Sequence, residues 1–198
     1  VKLREALMLS SGNPAALGFD SAKLEAALNY AAINGSSSIK IFRHGCLIGQ
    51  GLRDPFNDRL PELNAGQTKT IVALVAGIVA DKGWVNIDAP IGTYLPADMG
   101  DAAHRAITLR QFMTLTSGVQ VNHLNGLNFF LDQSRTGEYF QTELTRPAGT
   151  YYEFDEITPS VVVYVLQRVI DQHRPGTDFQ QFVQAELFNP LGIPTTAY

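Results

Sequence analysis

Hydrophobic side chains recur along this chain at two spacings, and each spacing predicts its own kind of element. Apolar residues stand three or four positions apart in residues 21–32, 67–82 and 159–171, which is the period of an amphipathic helix. Asp20 precedes the first of these segments and Gly83 follows the second, where a helix cap and a helix stop are expected. In the second segment the predicted buried face contains five apolar residues: Ile71, Leu74, Val75, Ile78 and Val79.

Two shorter helices are indicated by capping residues. Thr108 and Gln111 have the spacing of a capping box, in which each side chain accepts a hydrogen bond from the other residue's backbone N–H. Asp178 and Gln181 repeat that spacing near the end of the chain. We therefore predict that one helix begins after Thr108 and ends near Leu115, and that another begins after Asp178.

A single β-hairpin is the sheet structure that the pattern predicts. Residues 38–43 alternate between the two faces of a strand, and residues 46–51 follow as the return strand. His44 and Gly45 supply a two-residue turn between them. Residues 52–65 are polar and contain two prolines, which predicts a loop. Because an isolated hairpin is marginally stable in water, we expect further strands, and we interpret the chain as the N-terminal part of a longer protein.

Composition argues against several classes of function. The 198 residues carry a net charge of −4 and no basic patch, which argues against nucleic acid as a partner. The longest apolar run, residues 71–80, is too short to span a membrane. A single cysteine, Cys46, excludes an internal disulfide and a multi-cysteine metal site. The four histidines have no ligand partner four residues further on, so we expect no metal site.

The start of the second helix carries the candidate chemistry. Lys69 follows Gly66 by three positions, so the two residues share one face of the helix. In a Ser-x-x-Lys site the first residue is a nucleophilic serine, and the lysine lowers the pKa of its hydroxyl or takes its proton. Glycine has no hydroxyl, and Thr68 points about 100° away around the helix. The segment therefore has the layout of a serine-hydrolase site that lacks its nucleophile.

Several short motifs occur in order along the chain and together carry a family resemblance. The first helix and the hairpin are followed by five motifs: Gly66–Lys69, Gly83–Pro90, Ile107–Gly118, Pro147–Thr150 and Leu187–Gly192. In this order, residues 18–198 resemble the penicillin-binding-protein-like serine hydrolases. That group contains class C β-lactamases, D,D-peptidases, D-aminopeptidases and esterases built on one fold. The ordered set is specific for the family and not for a substrate.

The resemblance implies roles for individual positions. The acylated serine of the family falls at Gly66, and its proton-transfer partner falls at Lys69. The family's catalytic tyrosine, counted from Thr150, falls at Phe154, whose ring has no hydroxyl to transfer a proton. Tyr152 would supply the phenol if the loop were shifted by two residues, and packing in a core or pocket wall is its other interpretation.

Neighbouring residues are open to more than one interpretation. Glu156 falls at the polar position, often asparagine, two residues beyond the family's tyrosine, which implies substrate binding. Asp155 is a second substrate-binding candidate, but it does not face Glu156 and is expected to cap the following helix. Residues 129–130 and 139–140 are aromatic pairs that fit either an acyl-binding pocket or ordinary core packing. Thr116–Gly118 contains a serine but matches a structural turn of the family.

The fold implied by the resemblance is α+β and two-lobed, as in β-lactamases. Residues 18–52 supply elements of an α/β lobe, an antiparallel sheet flanked by helices, and residues 66–180 form a mostly helical lobe. Residues 1–198 are then the N-terminal part of one domain that is incomplete at its C-terminus. The family's third motif, Lys or His followed by Thr or Ser and Gly, has no counterpart after residue 160, which fits a chain that ends early.

The implied activity is acyl transfer on an ester, a β-lactam or a D-amino-acid amide, with no metal or organic cofactor. Gly66 makes the chain, as written, inert for covalent catalysis. The alternative is a non-catalytic binding or regulatory module that keeps the cleft and has lost the chemistry. The well-kept motif around Gly66 favours an engineered or selected loss of the serine, whereas Phe154 favours a natural loss. We expect a small-molecule ester or amide as ligand, a missing C-terminal segment that completes the site, and a periplasmic or secreted rather than cytoplasmic location.

Overall fold

The computed structural model describes most of the chain, namely residues 10–58, 60, 66–119, 136–155 and 158–193. The chain divides into two compact units. The smaller unit contains the described residues of 10–60 together with 189–193, and the larger unit contains those of 66–188.

Helices account for most of the regular structure in these ranges. In chain order the elements are α1 (Ser21–Ile33), β1 (Lys40–Arg43), β2 (Cys46–Gln50), α2 (Asp54–Asn57), α3 (Gln67–Asp81), α4 (Ala102–Ala106), α5 (Leu109–Met113), α6 (Thr136–Tyr139), α7 (Thr158–His173), α8 (Phe179–Val183) and α9 (Asn189–Leu191). Short 3₁₀ turns cover Ala15–Leu17 and Ile91–Thr93, and a π-helical stretch covers Gln184–Phe188. The mixture of helices and a small antiparallel sheet confirms the α+β class.

In the smaller unit, α1 forms where the sequence predicts it. Asp20 caps its first turn, because the Asp20 carboxylate accepts hydrogen bonds from the N–H groups of Ala22 and Lys23 at 2.9 and 3.1 Å. The helix packs on β2, and Leu24 is its buried residue. One cap and one apolar anchor therefore fix this helix on the sheet.

The hairpin also forms at its predicted place. β1 and β2 pair antiparallel, with a bulge after Ile41. The turn residues His44 and Gly45 have φ angles of 48° and 77°, the left-handed values that a two-residue hairpin turn requires. Residues 10–12 add a short parallel bridge to β2 through Leu47. Among the described residues this bridge extends the backbone pairing of the two-stranded sheet, and the expected further strands stay a prediction.

Part of the predicted loop is a helix, α2. Pro55 stands in its first turn, where the fixed φ suits a helix and the missing N–H is not needed. Asp54 is buried, and its carboxylate accepts a hydrogen bond from the N–H of Ile39 at 3.2 Å. The prediction of a loop over residues 52–65 is wrong here because a polar side chain is held by a backbone donor that is distant in sequence.

The core of the larger unit lies between α3 and α7. The buried residues of α3 are Val72, Val75, Ala76 and Val79. Those of α7 are Thr158, Val161, Val162, Val165, Leu166, Val169 and Ile170. The buried face of α3 is rotated from the predicted one, since Leu74 is 51% exposed while Val72 and Ala76 are buried. In a helix that is apolar on more than one side, spacing alone does not identify the buried side.

Both predicted capping boxes are present. The N–H of Gln111 donates to the Thr108 hydroxyl at 3.2 Å, and the N–H of Thr108 donates to the Gln111 side chain at 3.0 Å. The same reciprocal pair joins Asp178 and Gln181, at 2.7 and 3.2 Å. α4 has no counterpart in the sequence prediction and is capped by Asp101, which accepts from a backbone N–H in the first turn.

Two cations hold the carboxylate of Glu186 close to the end of α3. Lys82 Nζ lies 2.8 Å and Arg174 Nη1 lies 2.7 Å from its oxygens. The hydrogen bond from Lys82 and then that from Arg174 lower the pKa of Glu186, against the opposing effect of partial burial. A carboxylate with a lowered pKa stabilises the fold above its unfolded-state pKa, and this contribution is lost as pH falls through the folded-state pKa.

We therefore expect the unfolding free energy of Glu186→Gln to decrease less than that of the native chain below about pH 5, because the variant has no carboxylate to protonate. Near neutral pH its cost should be about 1 kcal/mol or less, since the group is partly exposed. Urea unfolding from about pH 7 to about pH 3 measures both quantities. Glu143→Gln is the control, because Glu143 is exposed and forms no ion pair among the described residues. An equally weak pH dependence of the unfolding free energy in Glu143→Gln would contradict the role of the Glu186 carboxylate.

Candidate active site

Gly66, the position assigned to the nucleophile, comes directly before α3. Its backbone angles are helical, with φ −60° and ψ −22°, and its carbonyl accepts a hydrogen bond from the N–H of Lys69 at 3.2 Å. Residues 66 and 69 therefore lie on one helical turn. A Cβ atom built on Gly66 meets nothing within 4 Å among the described residues. A serine would fit there without strain, because these angles suit any L-residue.

Lys69 and Phe154 are in contact although they lie far apart in sequence. The Lys69 ammonium lies 4.6 Å from the centroid of the Phe154 ring, within the range of a cation–π interaction. Lys69 is partly buried, and the Phe154 side chain is 48% exposed. The structure therefore brings together the positions to which the resemblance assigns the lysine and the tyrosine.

The segment that carries Phe154 is tied to the turn at Thr116–Gly118 and its neighbours. The N–H of Gly149 donates to the Thr116 carbonyl at 2.7 Å, and the N–H of Glu153 donates to the Leu115 carbonyl at 2.9 Å. The turn is also closely packed, since Ser117 is buried. These contacts give Thr116–Gly118 the structural role that the sequence analysis prefers over a nucleophilic one.

Asp155 caps α7 from inside the protein. Its side chain is buried and accepts hydrogen bonds from the N–H of Thr158, at 2.6 Å, and from the Thr158 hydroxyl. This is the capping role expected for Asp155, while a substrate contact by the same residue stays a prediction. Glu156 lies outside the described residues, so its substrate-binding assignment also stays a prediction.

Tyr139 packs in the core. Its side chain is 1% exposed, and its ring lies 5.1 Å from that of Phe112. Burial raises the pKa of the Tyr139 phenol far above its ordinary value, and the charge of Asp155 raises it further. Phe140 packs edge-on against Tyr139 at 5.2 Å, so this aromatic pair belongs to the core. Residues 129–130 lie outside the described residues.

An open depression adjoins Phe154. It is lined by Arg146, Tyr151, Tyr152, Glu153 and Phe154, and the Tyr152 side chain is 60% exposed. Tyr152 is therefore accessible next to Phe154, and its proposed phenol role stays a prediction. The guanidinium of Arg146 lies 3.7 Å from the centroid of the Tyr151 ring. Sequence reasoning missed this stacked pair, because a basic residue five positions before an aromatic one carries no recognised signal.

The described ranges meet the requirements of neither a metal site nor a membrane-spanning helix. They contain no group of three His, Cys, Asp or Glu side chains that could hold a metal ion. None of the helices in these ranges has the length and apolar content of a membrane span.

Comparisons with known proteins add a family and several structural likenesses. A family model described as "Beta-lactamase" matches residues 65–198. The chain is similar to a candidate β-lactamase of Bacteroides dorei, with a TM-score of 0.67 and 22% identity, over 87% of this chain and 52% of that one. A search of curated protein sequences finds no match.

Two further solved structures share the fold. One is a candidate 6-aminohexanoate-dimer hydrolase of Bacillus anthracis, with a TM-score of 0.58 and 13% identity over 71% of this chain and 42% of that one. The other is an octameric penicillin-binding protein homologue of Pyrococcus abyssi, with a TM-score of 0.57 and 19% identity over 88% of this chain and 43% of that one. The chain spans about half the length of these solved structures. The comparisons confirm the fold that the resemblance implies.

Proposed function

Because the chain belongs to the β-lactamase family, we propose that Gly66, Lys69 and Phe154 mark the acyl-transfer site of a serine hydrolase whose nucleophile is absent. The proposed substrate is a small-molecule ester, β-lactam or D-amino-acid amide. Tyr152, Asp155 and Glu156 are the further proposed site residues. A C-terminal segment is proposed to complete the site, because the chain spans about half of the solved structures that it matches.

The contact between Lys69 and Phe154 is the observation that carries this proposal. The resemblance assigns these two positions to a lysine and a tyrosine that exchange protons during acyl transfer. Their side chains meet at 4.6 Å across a long stretch of sequence. A lysine on an unrelated surface helix has no reason to meet the residue at that particular position. The contact therefore supports a common site more strongly than either motif does alone.

In an intact site of this kind, serine attacks the substrate carbonyl, and the lysine and tyrosine transfer protons. The N–H groups at the start of α3 would favour the negative charge that develops on the substrate oxygen. Gly66 supplies no oxygen for the attack, and loss of such a nucleophile costs roughly a millionfold in turnover. Phe154 supplies no phenol for the proton transfer. The chain as written is therefore inert in covalent catalysis.

We expect Gly66→Ser, in a chain that includes the proposed C-terminal segment, to form a covalent acyl adduct that the native chain does not form. The physical reason is that Lys69 stands one turn from residue 66, where its side chain, as the neutral amine, can accept the serine proton while the serine oxygen bonds to the acyl carbon and the nitrophenolate or β-lactam nitrogen leaves. Intact-protein mass spectrometry after incubation with nitrocefin or a 4-nitrophenyl ester measures the adduct, and peptide mapping locates it. Gly66→Ser with Lys69→Met is the matched control and should give much less adduct. Equal adduct in the native chain, or at a residue other than 66, would overturn the proposal.

A second candidate function is a binding module that keeps the site without its chemistry. Phe154 favours it, because a ring that cannot exchange protons holds the Lys69 ammonium by a cation–π contact instead. The same experiment separates the two candidates. A Gly66→Ser chain that gives no adduct, but binds the β-lactam probe by calorimetry, points to the binding module.

A further inference from the structure

One arginine of the larger unit differs from the others in how its side chain is used. The guanidinium of Arg146 donates no hydrogen bond and forms no ion pair among the described residues. Every other described arginine of this unit has a protein acceptor. The pairs are Arg105 with the carbonyls of Gly92, Pro96 and Met99, Arg110 with Asp88, Arg168 with the carbonyl of Tyr94, and Arg174 with Glu186.

Stacking on Tyr151 holds the Arg146 side chain, and its N–H donors have no acceptor among the described residues. The guanidinium carbon lies 3.7 Å from the centroid of the Tyr151 ring. A guanidinium stacked on a ring keeps its five N–H groups in its own plane, directed away from the ring. Two parallel N–H groups in that plane match the two oxygens of a carboxylate. Because the stack already restricts the side chain, binding would cost less conformational entropy than for a free arginine.

The position of Arg146 connects it to the proposed site. Arg146 and Phe154 line the same depression. The Lys69 ammonium lies over the ring of Phe154. Glu153 is the single carboxylate among the described residues of that lining. Arg146 is the single cation among the described residues of that lining, and its guanidinium has no acceptor among the described residues, which favours an anionic group on a ligand.

We propose that Arg146 binds a carboxylate on the acyl side of the ligand, so that the site selects an acidic ester or amide over its neutral counterpart. This inference rests on the proposed function, because it places the ligand at Lys69 and Phe154. Arg146 is thus a specificity-determining residue, and Tyr151 is the residue that positions it.

Two stable amides of equal length test the inference on the chain as it stands. N-(4-nitrophenyl)glutaramic acid carries a terminal carboxylate where N-(4-nitrophenyl)pentanamide carries a methyl group. We expect the native chain to bind the acid about tenfold more tightly by calorimetry. Arg146→Gln should weaken binding of the acid by about that factor and leave binding of the neutral amide unchanged. Arg146→Lys should keep part of the preference, and Tyr151→Leu should reduce it.

Arg110→Gln is the matched control, since it makes the same change of charge at an exposed arginine that pairs with Asp88. It should keep the native preference. Equal binding of the two amides by the native chain, or an unchanged preference in Arg146→Gln, would overturn the role of Arg146 while leaving the proposed function standing. Failure of the native chain to bind either amide would also overturn the role of Arg146, whereas the adduct test on Gly66→Ser decides the proposed function separately.

Discussion

Phe154→Tyr, added to Gly66→Ser, is expected to raise ester hydrolysis by about 100- to 10,000-fold over Gly66→Ser alone. This is the usual contribution of one positioned general acid or base. The Phe154 ring already lies beside the Lys69 ammonium, so a hydroxyl on that ring would enter the surroundings of the lysine. The measurement is kcat/KM for a 4-nitrophenyl ester, compared between the single and the double variant.

Tyr152→Phe provides the control for this prediction. Tyr152 lies two residues away, lines the same depression, and is the competing source of the phenol. In the Gly66→Ser chain, Tyr152→Phe should change the rate by less than about threefold if position 154 is the tyrosine position. A large decrease of kcat/KM in Tyr152→Phe, together with no increase in Phe154→Tyr, would instead place the phenol at residue 152.

Gly118→Ala is expected to destabilise the fold by about 2–5 kcal/mol. Gly118 has a φ of +83°, a left-handed value that costs an L-residue energy, and a Cβ atom there would overlap the Arg146 carbonyl oxygen. That oxygen belongs to the backbone and cannot move aside as a side chain would. Urea unfolding, with the slope checked against the native chain, measures the loss.

Gly83→Ala measures the cost of the left-handed backbone angle without the overlap with a backbone oxygen. Gly83 has a similar φ of +72°, but a Cβ atom there meets nothing within 4 Å among the described residues. We expect Gly83→Ala to cost only about 1–2 kcal/mol, the cost of the left-handed conformation itself. Equal losses in the two variants would show that the Arg146 carbonyl does not restrict position 118.

Capping residues made the helix starts predictable. Asp20, Thr108 and Asp178 each satisfy backbone N–H groups that a first helical turn leaves free, and each does so with a neighbour in sequence. The hairpin turn at His44 and Gly45 is local in the same sense. Features fixed by residues within a few positions of one another could therefore be predicted from the sequence.

Features fixed across long distances were predicted less well. Spacing did not show that α3 buries Val72 and leaves Leu74 half-exposed, because the buried side is chosen by the packing of α7. The pairing of Lys69 with Phe154 was reached only through the family resemblance, since no local rule joins two such distant residues. No sequence signal predicted the contact of Arg146 with Tyr151, because it depends on which groups the fold places near the guanidinium.

The open space at Gly66 has a practical consequence for labelling. Cys46 is the chain's one thiol, so exchanging it for serine would leave a Gly66→Cys chain with a single reactive sulfur at the head of α3. A probe attached there would project into room that the glycine leaves free. Fluorophores or spin labels could then register the arrival of small molecules at a place where the chain itself carries no reporter.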